Sequence, residues 1–167
     1  MNDVIIQKLK TEFPDSIEST TVFPARPAGG RNDLTIQVKR EDIVKVSGFL
    51  RNDPELSFDM VIDLCGVDMY RPEGRFEVIY NLYSLKNKKY VRLKVLVDEE
   101  DPVVDTVSSV WPGAGWHERE TFDMFGIKFE GHPDLRRMYM PEEYEYYPLR
   151  KDFPTMGIPD SLSLPRK

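Results

Sequence analysis

Cysteine and histidine are almost missing from this sequence. One Cys and two His stand among 167 residues. No internal disulfide can form, and Cys65, His117 and His132 cannot close a four-ligand zinc or iron–sulfur site by themselves. Long apolar runs are missing too: none approaches the ~20 residues a membrane-spanning helix needs. The stretch Met1–Phe13 is interrupted by Asp3, Lys8, Lys10 and Glu12 and has no small-residue cleavage site, so no secretion signal is expected there. An excess of positive charge is also lacking, since 23 Lys+Arg against 29 Asp+Glu leave a net charge of −6. A surface that binds nucleic-acid phosphates needs clustered Lys and Arg. Secreted disulfide scaffold, zinc finger and bulk nucleic-acid binder are thereby excluded. Repeats and low-complexity tracts are absent.

What is present suits one domain with a core, since single domains run to ~100–200 residues and a chain of this size buries roughly 70% of its unfolded surface. Val4, Ile5, Leu9 and Phe13 follow helical spacing up to Pro14. Ile17–Phe23 and Leu34–Val38 alternate apolar and polar residues around a loop with Pro24, Pro27 and Gly29-Gly30, which predicts two strands. Ile43, Val44, Val46, Phe49 and Leu50 share one helical face, stopped by Asn52-Asp53-Pro54. Strands are predicted at Ser57–Cys65, Phe76–Tyr83 and Tyr90–Val97; in the last, Val91, Leu93, Val95 and Val97 oppose Arg92 and Lys94. Val103–Val110 is expected to be a helix on the sheet. The order α-β-β-α-β-β-β-α predicts a two-layer α+β fold with a mixed, mostly antiparallel sheet. Trp111–Trp116 is a turn leading into a helix at His117–Phe125, closed by Gly126 as a left-handed cap.

Beyond Gly126 the periodicity stops. Six of the 13 prolines and four of the eight tyrosines lie there, too many prolines for a long regular element. The expected organisation is therefore a core at residues 1–125 and an extended, irregular tail at 126–167. Tyr139, Tyr144, Tyr146, Tyr147, Arg136, Arg137, Arg150 and Lys151 are the residue types that interfaces favour. Such a tail needs a surface, either its own domain's or a partner's.

Several catalytic signatures begin and then break off. His117-Glu118-Arg119-Glu120-Thr121 starts like a zinc-protease helix, with Thr121 where the second histidine belongs. Gly113-Ala114-Gly115 starts like a dinucleotide loop, with Glu118 in place of the third glycine. Cys65 in an apolar strand is a small core residue, not a nucleophile. Asp63 and Asp68 are expected to form turns. The cluster Glu118, Arg119, Glu120 and Asp123 is denser. Arg119 and Asp123 are four apart and can pair on a helix; Glu120 and Asp123 are three apart and share a face. Two such carboxylates can serve acid–base chemistry or a hard metal, with His132 as a third group. Alternatively they receive Arg136, Arg137 or a partner's arginines as ion pairs. His132, between Gly131 and Pro133, is expected to hydrogen-bond a carboxylate or the backbone.

Taken together, Glu118-Arg119-Glu120-Thr121-Phe122-Asp123-Met124-Phe125-Gly126-Ile127, then Phe129 to Arg137, then Pro148-Leu149-Arg150-Lys151-Asp152-Phe153-Pro154 resemble the C-type (30 kDa-type) subunit of respiratory complex I (NADH:quinone oxidoreductase). The resemblance spans about a quarter of the chain. It implies a structural subunit of the hydrophilic arm that holds no cofactor of its own, with FMN, iron–sulfur clusters and quinone on other subunits. The implied partners are the cluster-bearing subunits and the large subunit that shapes the quinone cavity. The implied place is the cytoplasmic side of the bacterial inner membrane, reached through those partners. Glu118, Arg119, Glu120, Asp123, His132, Arg136, Arg137, Arg150, Lys151 and Asp152 would order the segment or touch neighbours. The family commonly has Gly-His before Pro-Leu-Arg-Lys-Asp, and this chain has Tyr146-Tyr147. The same signature occurs in subunits of membrane-bound hydrogenases and of dehydrogenases with other donors. A stand-alone metal-dependent enzyme built on Glu120, Asp123 and His132 is the alternative of a different class.

Overall fold

The computed structural model describes residues 2–24, 33–155 and 157. The expected Pro27 and Gly29-Gly30 loop and the tail prolines Pro159 and Pro165 lie outside the described residues. Helix α1 (Asn2–Glu12) leads to strands β1 (Ile17–Phe23) and β2 (Asp33–Val38), helix α2 (Ile43–Asn52), and strands β3 (Met60–Asp68), β4 (Phe76–Ser84) and β5 (Lys89–Val97). A short strand β6 (Val103–Asp105), helix α3 (Ala114–Phe125) and strand β7 (Lys128–Glu130) complete the order.

The main sheet runs β1-β2-β5-β4-β3. Only the β2–β5 pair is parallel; the other three pairs are antiparallel. The alternation in β5 decides which face is covered. Val91, Leu93, Val95 and Val97 are buried, while Arg92 and Lys94 lie half-exposed on the opposite face. Ile5 and Leu9 of α1, Val46 and Leu50 of α2, and Met124 and Phe125 of α3 join the same core. This is the two-layer α+β architecture expected. Each fully buried Leu or Val side chain contributes about 1.5–3 kcal/mol, so dispersed apolar burial dominates here.

Two local expectations are corrected. Val103–Val110 is not a helix: residues 103–105 form β6, and Trp111 N–H bonds back to the Val107 carbonyl in a turn (2.8 Å). Valines at 103, 104, 107 and 110 imitate a helical stripe, yet branching at Cβ favours extended backbone. The decisive partner is distant, because β6 pairs in parallel with β7 across α3. That makes β6-α3-β7 a small parallel crossover unit, which no local window reveals. The strand expected at Ser57–Cys65 instead occupies Met60–Asp68, after a turn in which Ser57 has φ 42°.

Helix α3 lies close on β3 because Gly66 faces it. A Cβ at that position would stand 2.8 Å from the Phe125 ring and 2.9 Å from the Thr121 methyl. At the other end Gly126 caps the helix with φ 76°, and its N–H donates to the Phe122 carbonyl at 2.8 Å. That backbone conformation suits glycine, and the site has a second demand for it. A Cβ there would meet the Tyr147 ring at 2.6 Å and the Arg150 guanidinium at 2.7 Å.

Candidate functional site: the buried-aspartate clasp between signature helix and tail

Asp123 sits in the last turn of α3 with its side chain fully buried. A buried carboxylate needs its lone pairs filled, and the tail fills them. The Oδ2 atom accepts the backbone N–H groups of Met138, Tyr139 and Met140 at 2.9, 2.6 and 3.0 Å, and Oδ1 accepts Arg137 Nη1 at 2.7 Å. Burial pushes the Asp123 carboxyl up, but these donors outweigh it and hold the group below the usual aspartate range. Arg137 also donates to the Asp123 carbonyl at 3.2 Å. Asp123 thus nucleates three successive residues of otherwise irregular backbone.

The Arg119–Asp123 pair expected from helical spacing does not form. Arg119 is buried under the tail instead, donating to the carbonyls of Arg136 and Arg137 at 3.2 Å each, with its guanidinium 5.0 Å from the Trp116 ring centre. The tail's donors, Arg137 among them, take the place an intrahelical partner would have on Asp123. Arg136 is likewise not received by the helix carboxylates; its Nε donates to Asp134 at 3.0 Å. Glu120 does not share the site of Asp123 either, being exposed where Asp123 is buried.

Glu118 is the second buried carboxylate of α3. It accepts the Thr106 hydroxyl at 2.5 Å and the Val107 N–H at 2.8 Å, pinning the turn after β6 to the helix. Burial pushes its carboxyl up, only partly countered by those two donors. His132 lies 3.7 Å from Glu118 and bonds backbone on both sides, as expected. Nδ1 accepts the Asp134 N–H at 3.0 Å, which leaves Nε2 to donate to the Gly115 carbonyl at 3.0 Å. A metal site on Glu120, Asp123 and His132 is therefore corrected: the oxygens of Asp123 and both His132 nitrogens are engaged, and Glu120 points elsewhere. Among the described residues no group of three His, Cys, Asp or Glu side chains could hold a metal ion.

A second clasp holds the tail further on. Asp68, at the end of β3, does turn the chain, accepting the Tyr70 N–H at 2.8 Å. It is also fully buried and paired with Arg75 (2.9 Å), and it accepts the Lys151 N–H at 2.8 Å. Arg75 reaches Asp152 at 2.9 Å and Glu99 as well. Burial pushes the Asp68 carboxyl up, while Arg75 and the two backbone donors bring it below its ordinary value. Arg150 Nε donates to the Phe125 carbonyl at 2.6 Å, and the Lys151 side chain is exposed. Asp63 is no turn former; it is mid-strand, facing Asn81 at 3.4 Å and His117 at 3.8 Å. Cys65, half-buried beside it, has its thiol pushed up by burial, which suits an inert residue.

Sequence reasoning missed Asp68 and Arg75 as anchors, although strand parity carried a signal for the first. Leu64, Gly66 and Asp68 share the inward face of β3, and an inward aspartate demands a donor. It also missed a stack that joins the two clasps. Tyr146 and Tyr144 rings are 5.7 Å apart, and Arg137 lies 5.8 Å from Tyr144 and 5.2 Å from Tyr147. Arg150 continues at 4.5 Å from Tyr147 and 5.0 Å from Phe76, and Arg75 at 5.1 Å from Phe76 and 5.3 Å from Tyr70. Three guanidiniums alternate with aromatic rings, and with Arg75 and Arg137 almost fully buried each contact is worth about 0.5–2 kcal/mol. Tyr147 fills the place between Arg137 and Arg150.

The family model described as "Respiratory-chain NADH dehydrogenase, 30 Kd subunit" matches residues 36–158, which include both clasps. The chain belongs to that family. Among relatives of the 30 kDa subunit family, the C-type subunit of NADH-quinone oxidoreductase from Roseiflexus sp. (strain RS-1) is 49% identical over 153 residues, covering 92% of this chain and 84% of that protein. One of the C-type NADH-quinone oxidoreductase subunits of Rhizobium meliloti (strain 1021) is 55% identical over 126 residues, covering 75% and 69%. A solved structure of the trypsin-resistant fragment (1-134) of Nqo5 superposes with a TM-score of 0.61 at 30% identity, covering 81% of this chain and all of that one. A chain of the membrane-bound sulfane sulfur reductase, an archaeal respiratory membrane complex, shares the fold with a TM-score of 0.71 at 24% identity, covering 92% of this chain and 86% of that one. Among the described residues of this 30 kDa-family chain, no helix is long and apolar enough to cross a membrane.

Proposed function

We propose that this chain is a non-catalytic structural subunit of the hydrophilic arm of proton-translocating NADH:quinone oxidoreductase, complex I. It aids electron transfer from NADH to quinone by holding the cluster-bearing subunits and the large quinone-cavity subunit in register. FMN, the iron–sulfur clusters and quinone belong to those neighbours, and the chain meets the membrane only through them, on its cytoplasmic side. In this reading residues 1–125 are the core, which Ile127 and Phe129 beside and within β7 also join, and the remainder of 126–167 is the tail that faces partners.

The observation that carries the reading is that the signature's charged side chains are spent inside the chain. Asp123, Arg119, Arg137 and Arg150 bond to backbone or to each other across the helix–tail junction, and Glu118 bonds to the turn after β6. Groups satisfied in this way position a segment rather than transform a substrate. Glu118, Arg119, Asp123, His132, Arg137, Arg150 and Asp152 order the tail, while Glu120, Arg136 and Lys151, whose side chains reach solvent, are left for neighbours.

Affinity purification of the tagged chain from its host membranes tests this. The expected eluate contains the cluster-bearing and quinone-cavity subunits and reduces quinone with NADH. A chain recovered alone, or with unrelated proteins, would overturn the assignment. A complex oxidising another donor but not NADH would move it to a sister enzyme.

A further inference from the structure

The tail segment between the two clasps bonds to the core through its backbone and inner rings, and leaves its other side chains outward. Tyr139, Tyr146 and Leu149 are 61%, 40% and 54% exposed, three large apolar side chains within eleven residues of one anchored segment. Between them stand Glu142, Glu143 and Glu145, all exposed, and no ion pair reaches any of the three among the described residues. From Tyr139 to Leu149 the sequence contains no Lys or Arg, so nothing within the segment offsets the three carboxylates. The nearby guanidiniums of Arg137 and Arg150 lie between rings and bond to Asp123 and the Phe125 carbonyl.

The segment is anchored at both ends to the chain's own core. Met138, Tyr139 and Met140 are held by Asp123, and the Leu149 N–H donates to the Met124 carbonyl at 3.1 Å. Lys151 N–H is held by Asp68. A preorganised face loses less entropy on docking than a loose one. Exposed rings on such a segment supply contact area, and charges beside them in the chain select the partner.

We propose that this Tyr139–Leu149 face is a docking surface for a basic, lysine- and arginine-lined face of a neighbouring subunit. The proposal rests on the reading of the chain as a complex I subunit and adds which residues make the contact and what chemistry they meet. The buried clasps set the geometry, Tyr139, Tyr146 and Leu149 provide the apolar contact, and Glu142, Glu143 and Glu145 fix register and speed of encounter.

The test replaces the three glutamates together, as E142K/E143K/E145K and as E142Q/E143Q/E145Q, in the full chain expressed in its host. Exposed carboxylates on a turn leave the core alone, so thermal melting of both free variants should match the parent. Recovery of partner subunits should fall by roughly an order of magnitude or more for the lysine form. The glutamine form should fall less and lose much of the salt dependence of the parent's association. Tyr146→Ala should weaken recovery without changing that salt dependence. Equal recovery of the parent and the lysine form at every salt concentration would overturn the docking surface and leave the subunit assignment standing. Failure of the parent itself to bring partners would remove both. Self-association of the parent through this face, seen as a dimer in sedimentation and abolished in the lysine form, would also overturn it.

Discussion

The β-sheet core and the tail behind it are held by different physics. The core depends on many interchangeable apolar contacts: Leu34, Ile36, Leu64, Val78, Tyr80, Leu82, Leu93 and Val95 are all essentially inaccessible to solvent. The tail depends on a few directional ones, chiefly the oxygens of Asp123 and Asp68 and a stack of rings and guanidiniums. Dispersed burial degrades gradually when one member is trimmed, and the whole domain shares the loss. A buried carboxylate with several donors is different, because removing its charge and one accepting oxygen weakens every one of those bonds at once. The tail is therefore the part that a single substitution can release while the fold survives.

The contrast is sharpened first by the largest effect. Leu93→Ala in the centre of β5 should cost about 2–5 kcal/mol and lower the melting midpoint by roughly 5–15 °C. Amide exchange should accelerate in β4, β5 and the tail alike. Loss confined to β5 would contradict a shared core.

Asp123→Asn comes next and should act on the other region. Losing a buried, paired charge costs about 3 kcal/mol, a hundredfold or more in exchange at the Met138, Tyr139 and Met140 amides. Amides of β4 and β5 should stay as protected as in the parent. Acid should do the same reversibly. Asp123 and Asp68 are both depressed from the ordinary 3.8. Their stabilisation is complete above that value and is lost as pH falls through it toward the folded values. Glu118 has the opposite sign: its carboxyl is raised, so proton uptake favours the folded state and cannot be the source of that acid loss. Tail amides should therefore open before core amides below about pH 4, and the acid step should shrink in Asp123→Asn. Simultaneous opening of core and tail would merge the two regions into one unit.

The smallest effect is expected from Tyr147→Leu. It keeps apolar contact over Gly126 and removes the ring between Arg137 and Arg150, about 1 kcal/mol. Exchange of the Leu149 amide should quicken about fivefold while the Met138–Met140 amides change little. An equal effect at Met138–Met140 would mean that the two clasps are not separate.

Much of the core is legible in the sequence because its signal is periodic and local. β1 is legible residue for residue from its apolar–polar alternation, although none of its side chains is fully buried, β5 is legible to within one residue at its start because it alternates around a buried face, and Gly126 is legible as the left-handed stop of α3. Val103–Val110 misleads because four valines satisfy a helical spacing and only pairing with Lys128–Glu130 excludes it. The charged motif is legible as a cluster, not as a wiring diagram. Helical spacing offers Arg119 to Asp123, while the fold satisfies Asp123 with Arg137 and three backbone amides more than a dozen residues away.

The scarcity of cysteine and histidine by itself determined that this chain builds no disulfide framework and no histidine–cysteine metal centre. The alternation of its strands determined a one-sided sheet, and its ordered motifs determined the family. What only the tertiary structure decided is where each charge goes. Burial makes an unsatisfied carboxylate so costly that Asp68 and Asp123 take whichever donors the fold brings within 3 Å, and those donors lie far along the chain. Spacing in a sequence records which residues are neighbours on one helix or strand. It carries no record of which distant backbone will arrive to fill a lone pair.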